Sequence, residues 1–210
     1  MVNKLIIYLR NEGIQQTIRK IITKVFRSGN SQTVFFYNRI DVECESPYEE
    51  HDETYFELTE STIPDFEKIK FWNFINAMQY INNQNESVLL VKYNGEVIAY
   101  AAECHEKGRP IHGLGSFQLR AKEAWIGPVY VLKKYRGRGI NRRLIIEVMN
   151  RLRASGITDF YTSINSNNQS SIKSFQNAGF TEIGRVDKSG KITENDEKRL
   201  STRFVYSETL

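Results

Sequence analysis

Cysteine, histidine and proline are all sparse in this sequence: of 210 residues, two are cysteine, three histidine and four proline. Cys44 and Cys104 cannot build a disulfide framework or a zinc site by themselves. His51, His105 and His112 lack metal-ligand spacing, so no metal site is expected. Long apolar runs are missing too, since no stretch approaches the ~20 residues a membrane-spanning helix needs. The longest apolar run near the N-terminus, Leu5–Leu9, is shorter than the ~7–15 residues of a secretory core, and no small-residue cleavage site follows it. A cytoplasmic location is the expectation. Internal repeats and low-complexity tracts are also absent.

What remains is the composition of an ordinary folded domain. Hydrophobic residues make up 40%, charged residues 26% and aromatics 12%, enough to build one core. The net charge of +4 conceals a strong asymmetry. Residues 1–40 hold seven Lys or Arg against one Glu, whereas residues 41–67 hold eleven acids and neither Lys nor Arg. Such a split suggests separate surfaces, although solvated faces of one domain would read the same way.

Residues 14–27 have the period of an amphipathic helix. Ile14, Ile18, Ile21, Ile22 and Val25 share one face, and Arg19, Lys20, Lys24 and Arg27 the other. A helix of this kind can lie on an anionic membrane or pack its isoleucines on the domain behind it. Thr33–Val42 is β-branched and aromatic, which predicts a strand, and the acidic stretch 43–53 a loop. Tyr55–Thr59 reads as a strand, and a helix is expected from Thr62, through Pro64, to about Asn83. Val88–Tyr93 and Val97–Cys104 flank Asn94-Gly95, a strong hairpin signal. Ala124–Val131 reads as a strand, bulged at Pro128 because proline cannot donate to a ladder. A basic glycine-bearing loop leads to a helix that Gly156 stops. Thr158–Asn165 is a predicted strand and Gln169–Ala178 a short helix, with a closing strand pair at 180–187 and 200–207. The order of elements predicts a mixed α/β domain around one sheet.

The chemistry is concentrated between Val131 and Leu144. Strand, glycine-bearing turn and helix follow one another, an order that presents backbone N–H groups to a phosphate. Gly137 and Gly139 allow close approach of an anion, and the helix dipole adds positive potential there. Lys133, Lys134, Arg136, Arg138, Arg142 and Arg143 put six cations into eleven positions. A basic patch binds any polyphosphate, so nucleic acid is one alternative. No base-stacking aromatics are interleaved with it, however, and neither the Walker lysine motif nor the dinucleotide glycine spacing occurs. A diphosphate at a strand–loop–helix junction is the better reading.

Arg136-Gly137-Arg138-Gly139-Ile140, after the strand Gly127-Pro128-Val129-Tyr130-Val131, resembles the acetyl-CoA pyrophosphate loop of the GNAT acetyltransferase superfamily. Further on, Asn168, Ser171, Phe175 and Gly179-Phe180 are spaced like that superfamily's second motif. The resemblance covers about residues 54–207. It implies a mixed, mostly antiparallel sheet flanked by helices. The GNAT-like domain would occupy 51–210, preceded by an extension, 1–50, of helix, strand and acidic loop. It also implies transfer of an acetyl group from acetyl-CoA to a primary amine. An amino sugar or similar small molecule is the expected acceptor, because the extension could cover part of the cleft. Main-chain groups of Val129 and Val131 would hold the thioester and pantetheine arm. Amides in the loop Arg136, Gly137, Arg138, Gly139, Ile140 and Asn141 would bind the pyrophosphate. Asn168, Ser171 and Phe175 would line the arm from the other side, with Asn168 also a natural helix N-cap.

Two departures stand out. Asn141 occupies the position where the loop pattern ends in Gly or Ala. Phe175 stands where many members carry a Tyr that protonates the departing thiolate, and Phe has no proton to give. Tyr161 and Tyr130, on the strands expected to part, are substitutes; alternatively CoA leaves as the thiolate, whose ordinary pKa is ~8.5. Candidate bases are Glu103, His105, His112 and Glu123, with Glu103 first. Two other readings remain: a non-catalytic CoA-binding module, and a membrane-surface or nucleic-acid binder using residues 14–27 and 133–143.

Overall fold

Strands form where the sequence is rich in β-branched and aromatic residues. The computed structural model describes residues 32–40, 53–64, 81–83, 85–105, 109–111, 115–187, 189–194 and 200–205. The basic helix expected at 14–27, the acidic stretch 43–52 and all but the ends of the helix expected at 62–83 lie outside the described residues.

Strands β3 (Glu86–Tyr93) and β4 (Glu96–His105) form the predicted hairpin. Asn94 and Gly95 turn it with positive φ at both positions, as a tight two-residue connection requires. β2 (Glu53–Glu57) covers the outer edge of β3, and β7 (Glu123–Val131) pairs antiparallel with β4. Helix α1 (Ile140–Ala154) then returns to β8 (Asp159–Asn165), which runs parallel to β7. Ile140, Leu144, Ile145, Val148, Met149 and Leu152 recur at helical spacing and are buried, so α1 lies against the sheet by its apolar stripe. Fully burying each such side chain contributes about 1.5–3 kcal/mol. Helix α2 (Gln169–Asn177) packs beside α1 on the same face.

The eight-stranded sheet has the order β10-β9-β1-β8-β7-β4-β3-β2, in which β1 (Thr33–Arg39) lies between β8 and β9 (Thr181–Val186), and β10 (Ile192–Glu194) follows β9. β1 pairs antiparallel along both edges. Its Val34 and Phe36 join the core under the helices, and its Phe35 the core on the other face. The predicted strand of the N-terminal extension is thus a central strand, buried on both sides as its aromatic and β-branched composition suits.

The closing strands differ from expectation. β9 pairs with β1 and with β10 (Ile192–Glu194), not with the C-terminal segment. β11 (Phe204–Val205) instead joins a second, three-stranded sheet through β6 (Gly115–Phe117), which also pairs with β5 (Arg109–Ile111). Side chains explain the choice. Phe204 sets its ring edge-on against Phe35 and Phe117, at centroid distances of 5.5 and 5.6 Å. The adjacent Arg203 is anchored by a buried carboxylate described below. A charged linker between two strands marks a hairpin poorly when one strand has a better partner elsewhere.

Candidate active site

β7 and β8 share a ladder only from Glu123–Asp159 to Trp125–Tyr161. Beyond it, Val129–Val131 pair with β4 and Ser163–Asn165 with β1, so the two strands part. Two residues, Gly127 and Pro128, oppose Ala102 of β4, which is the bulge expected at Pro128. Leu132 donates its N–H to the Ile98 carbonyl of β4 at 2.8 Å. Strand alternation therefore turns the N–H groups of Val131 and Val129 to the opposite edge, into the opening toward β8.

The basic loop closes the upper end of this opening. Lys133–Tyr135 make one tight turn, and Arg136 is extended. Gly137 and Gly139 follow at φ +83° and +74°, values that L side chains rarely adopt. Gly139 is the N-cap of α1 and supplies no side chain to the helix end. The first main-chain bond of the helix runs from the Arg143 N–H to the Gly139 carbonyl at 3.1 Å, so the amides of Ile140, Asn141 and Arg142 have no intrahelical acceptor. Beside them the Asn141 Oδ1 is buried without a hydrogen-bond partner. The site thus offers several backbone donors at the positive end of a fifteen-residue helix.

Most of the cations brace the loop. Arg136 donates from Nε to the Val131 carbonyl at 3.0 Å and lies over the Tyr130 ring. Arg142 donates to the Asn177 carbonyl at the end of α2, 2.9 Å away. Lys134 reaches Glu96 at 2.7 Å on the surface, where an ion pair contributes little. Arg143 is tied inward to Glu53.

The Acetyltransferase (GNAT) family model matches residues 45–180. The chain belongs to the GNAT acetyltransferases. Its fold is shared with AAC(6′)-Iy, solved with the bisubstrate analogue CoA-S-monomethyl-acetylneamine. That match has TM-score 0.52 and 16% identity over 63% of this chain and 92% of the other. A GNAT-family acetyltransferase from Colwellia psychrerythraea matches with TM-score 0.54 and 16% identity, covering 80% of this chain and 60% of its own. A GCN5-related N-acetyltransferase from Sphaerobacter thermophilus gives TM-score 0.53 and 16% identity, covering 81% of this chain and 54% of its own. This GNAT chain therefore spans less than two thirds of the latter two proteins. No curated protein matches the sequence.

The remaining candidates of this GNAT chain fall in different places. Asn168 caps α2, its side chain accepting from the Ser171 N–H at 3.4 Å and the Ser170 hydroxyl at 3.1 Å. Phe175 belongs to the core, 2% exposed and edge-on to Phe180 at 5.0 Å. The Tyr161 hydroxyl accepts from Arg203 Nη2 at 2.9 Å and lies 3.5 Å from Glu123 Oε1. Glu103 is buried on β4, accepting from the Ser87 hydroxyl at 2.7 Å, with His105 Nδ1 3.3 Å from its other oxygen. Burial pushes the Glu103 carboxyl above the ordinary glutamate range, against the opposing pull of Ser87 and His105.

Glu103 and Tyr161 are not brought together. Glu103 falls on the same face of β4 as Ala99 and Ala101, which share a core with α1, whereas Tyr161 shares the opposite core with Trp125 and Cys104. Glu123, a candidate base in the sequence, makes a bidentate buried pair with Arg203, at 2.6 and 2.7 Å. Cys104 is a buried core thiol. His112 lies outside the described residues.

The little-exposed ion pairs Glu123–Arg203 and Glu53–Arg143 escaped the sequence reading. Their members are 80 and 90 positions apart, and no local pattern separates them from surface charges. The available signal was indirect: Glu123 and Arg203 each directly precede an apolar run, Ala124–Ile126 and Phe204-Val205.

Proposed function

We propose that this GNAT acetyltransferase moves the acetyl group of acetyl-CoA to a primary amine on a small molecule of the amino-sugar kind. The observation that carries the reading is the parting of β7 and β8 below the Gly137–Asn141 turn, which offers amides to a diphosphate and strand edges to the pantetheine arm. The residues fit the donor: φ is positive at both glycines, space is open at Gly137, and the first three amides of α1 have no intrahelical acceptor. Acetyl-CoA supplies an activated thioester. The N–H groups of Val129 and Val131 orient the arm, and those of Gly137 to Asn141 bind the diphosphate. Asn168 and Ser171, at the N-terminus of α2, line the arm from the β8 side.

Proton handling differs from a tyrosine-acid scheme. Phe175 carries no proton and its ring is taken up by the core, while the Tyr161 hydroxyl serves Arg203 and Glu123. CoA therefore leaves as the thiolate or takes its proton from water, which a thiol pKa of ~8.5 permits. α1 and α2 cover one face of the opening, so the acceptor approaches from the face of Tyr100 and Tyr130, whose rings stack at 5.8 Å.

The test is thiol release from acetyl-CoA over a panel of amino sugars and polyamines. Turnover with amino sugars above that with polyamines and peptide amines is the expected result. Activity confined to peptide amines would overturn the acceptor class, and no binding of acetyl-CoA would overturn the site.

A further inference from the structure

The diphosphate loop is not held by its own residues alone. Arg143, in the first turn of α1, has its side chain 14% exposed, and Glu53 at the start of β2 only 7%. Arg143 Nη2 lies 2.5 Å from Glu53 Oε1 and Nε 3.1 Å from Oε2, a two-point contact. Its remaining nitrogen, Nη1, donates to the Arg138 carbonyl at 2.9 Å. The Tyr55 hydroxyl donates to Glu53 Oε2 at 3.1 Å and completes that carboxylate's surroundings. Burial, with the Glu53 carboxylate beside it, keeps the Tyr55 phenol protonated far above neutrality. A connected chain thus runs from the edge strand of the sheet to the peptide between the two loop glycines.

That chain has a directional consequence. A peptide unit is planar and trans, so its carbonyl and its N–H point opposite ways. Drawing the Arg138 carbonyl inward onto Arg143 turns the Gly139 N–H outward, toward the side where the loop meets a ligand. A Cβ at Gly139 would lie 3.1 Å from Arg143 Nη1, a tight contact that would press on the guanidinium holding the Arg138 carbonyl. The positive charge of Arg143 is largely neutralised by Glu53, so orientation rather than attraction is its contribution. A lone buried guanidinium would be costly, and Glu53 removes that cost.

We propose that Glu53, acting through Arg143, is a positioning residue for acetyl-CoA: the pair sets the Arg138–Gly139 peptide so that the loop amides meet the diphosphate. The inference rests on the acetyl-CoA reading given above. A purely structural pair would weaken every ligand alike or lower stability alone, whereas a positioning pair affects only ligands that carry the diphosphate.

The experiment compares wild type, Glu53→Gln and Arg143→Lys by titration with CoA and with S-acetylpantetheine, which has the arm but no diphosphate. Circular dichroism checks the fold. Both variants are expected to bind CoA about tenfold or more weakly, the loss of roughly one charge-assisted hydrogen bond. Binding of S-acetylpantetheine is expected to be unchanged. Arg143→Lys keeps a cation near Glu53 but cannot also hold the Arg138 carbonyl, so it carries the comparison if Glu53→Gln fails to fold. Folded variants that bind CoA like wild type, or that lose both ligands equally, would overturn the proposal. So would failure of both variants to fold, which would make the pair a stability element. Wild type that binds no CoA would overturn the underlying acetyl-CoA reading instead.

Discussion

Gly139 meets two demands that favour glycine. Its φ of +74° lies in the left-handed region, and a Cβ there would crowd Arg143 Nη1 at 3.1 Å. Gly139→Asp adds strain, a Cβ against the guanidinium, and a carboxylate beside the amides meant for the diphosphate. We expect a folded protein whose affinity for acetyl-CoA falls by about 100-fold or more, a cost of ~3 kcal/mol. Calorimetric titration measures it, and unaltered affinity in a folded variant would sink the loop assignment. Gly137 and Gly139 were legible in the sequence because the Gly-x-Gly turn before a helix has a local signature. The separate tasks of the six neighbouring cations were not. Arg142 and Arg143 are adjacent and chemically identical, yet one reaches a carbonyl on α2 and the other a carboxylate on β2. Only the packing of α1 against two different elements separates them.

At the level of elements, β11 is held by charge as well as by aromatic contact. Arg203 and Glu123 are 6% and 7% exposed, and Arg203 also lies over the rings of Phe117 and Tyr161. Removing one member of a buried pair leaves the other charge uncompensated, which costs about 3–5 kcal/mol. Arg203→Met is therefore expected to be strongly destabilising in urea unfolding, and Glu123→Gln with Arg203→Met less so than Arg203→Met alone. Equal losses in the single and double variants would show that packing, not charge, holds β11. On the other face of the sheet, Glu103 has a carboxyl pKa raised by burial. Its protonated form is favoured in the folded state, so its contribution is fully present below the unfolded glutamate pKa of ~4.3 and is lost as pH rises through the folded value. The melting temperature of Glu103→Gln relative to wild type should thus climb between pH 4 and 7. A difference that is flat, or that falls over this range, would contradict the assignment. The β3–β4 hairpin was readable because Asn94-Gly95 is a local turn. The place of β11 was not, because its partners Phe117 and Glu123 lie about eighty residues away.

For the molecule as a whole, the decisive element is β1. Both loop motifs lie beyond residue 130, and the family match begins at residue 45, so the first forty residues could pass for an appendage. The sheet makes them otherwise from residue 33 onward. Val34, Phe35 and Phe36 are at most 1% exposed, and all seven residues of β1 are laddered to β8. Three such side chains represent about 5–9 kcal/mol of burial, comparable with the ~5–15 kcal/mol of a whole domain, before the ladder bonds are counted. β1 also flanks β8 along Ser163–Asn165, where β8 has parted from β7, and so supports one wall of the proposed acetyl-CoA cleft. Two truncations separate the roles. Deleting residues 1–28 should leave the β-sheet signal, cooperative unfolding and acetyl-CoA binding intact, because both motifs and all of β1 remain. Deleting residues 1–40 exposes the edges of β8 and β9 together and should abolish cooperative unfolding and acetyl-CoA binding. Circular dichroism with thermal melting, followed by calorimetric titration, distinguishes them. A protein lacking residues 1–40 that still melts cooperatively and binds acetyl-CoA as wild type does would show that β1 is dispensable, and with it that the wall along β8 needs no second strand.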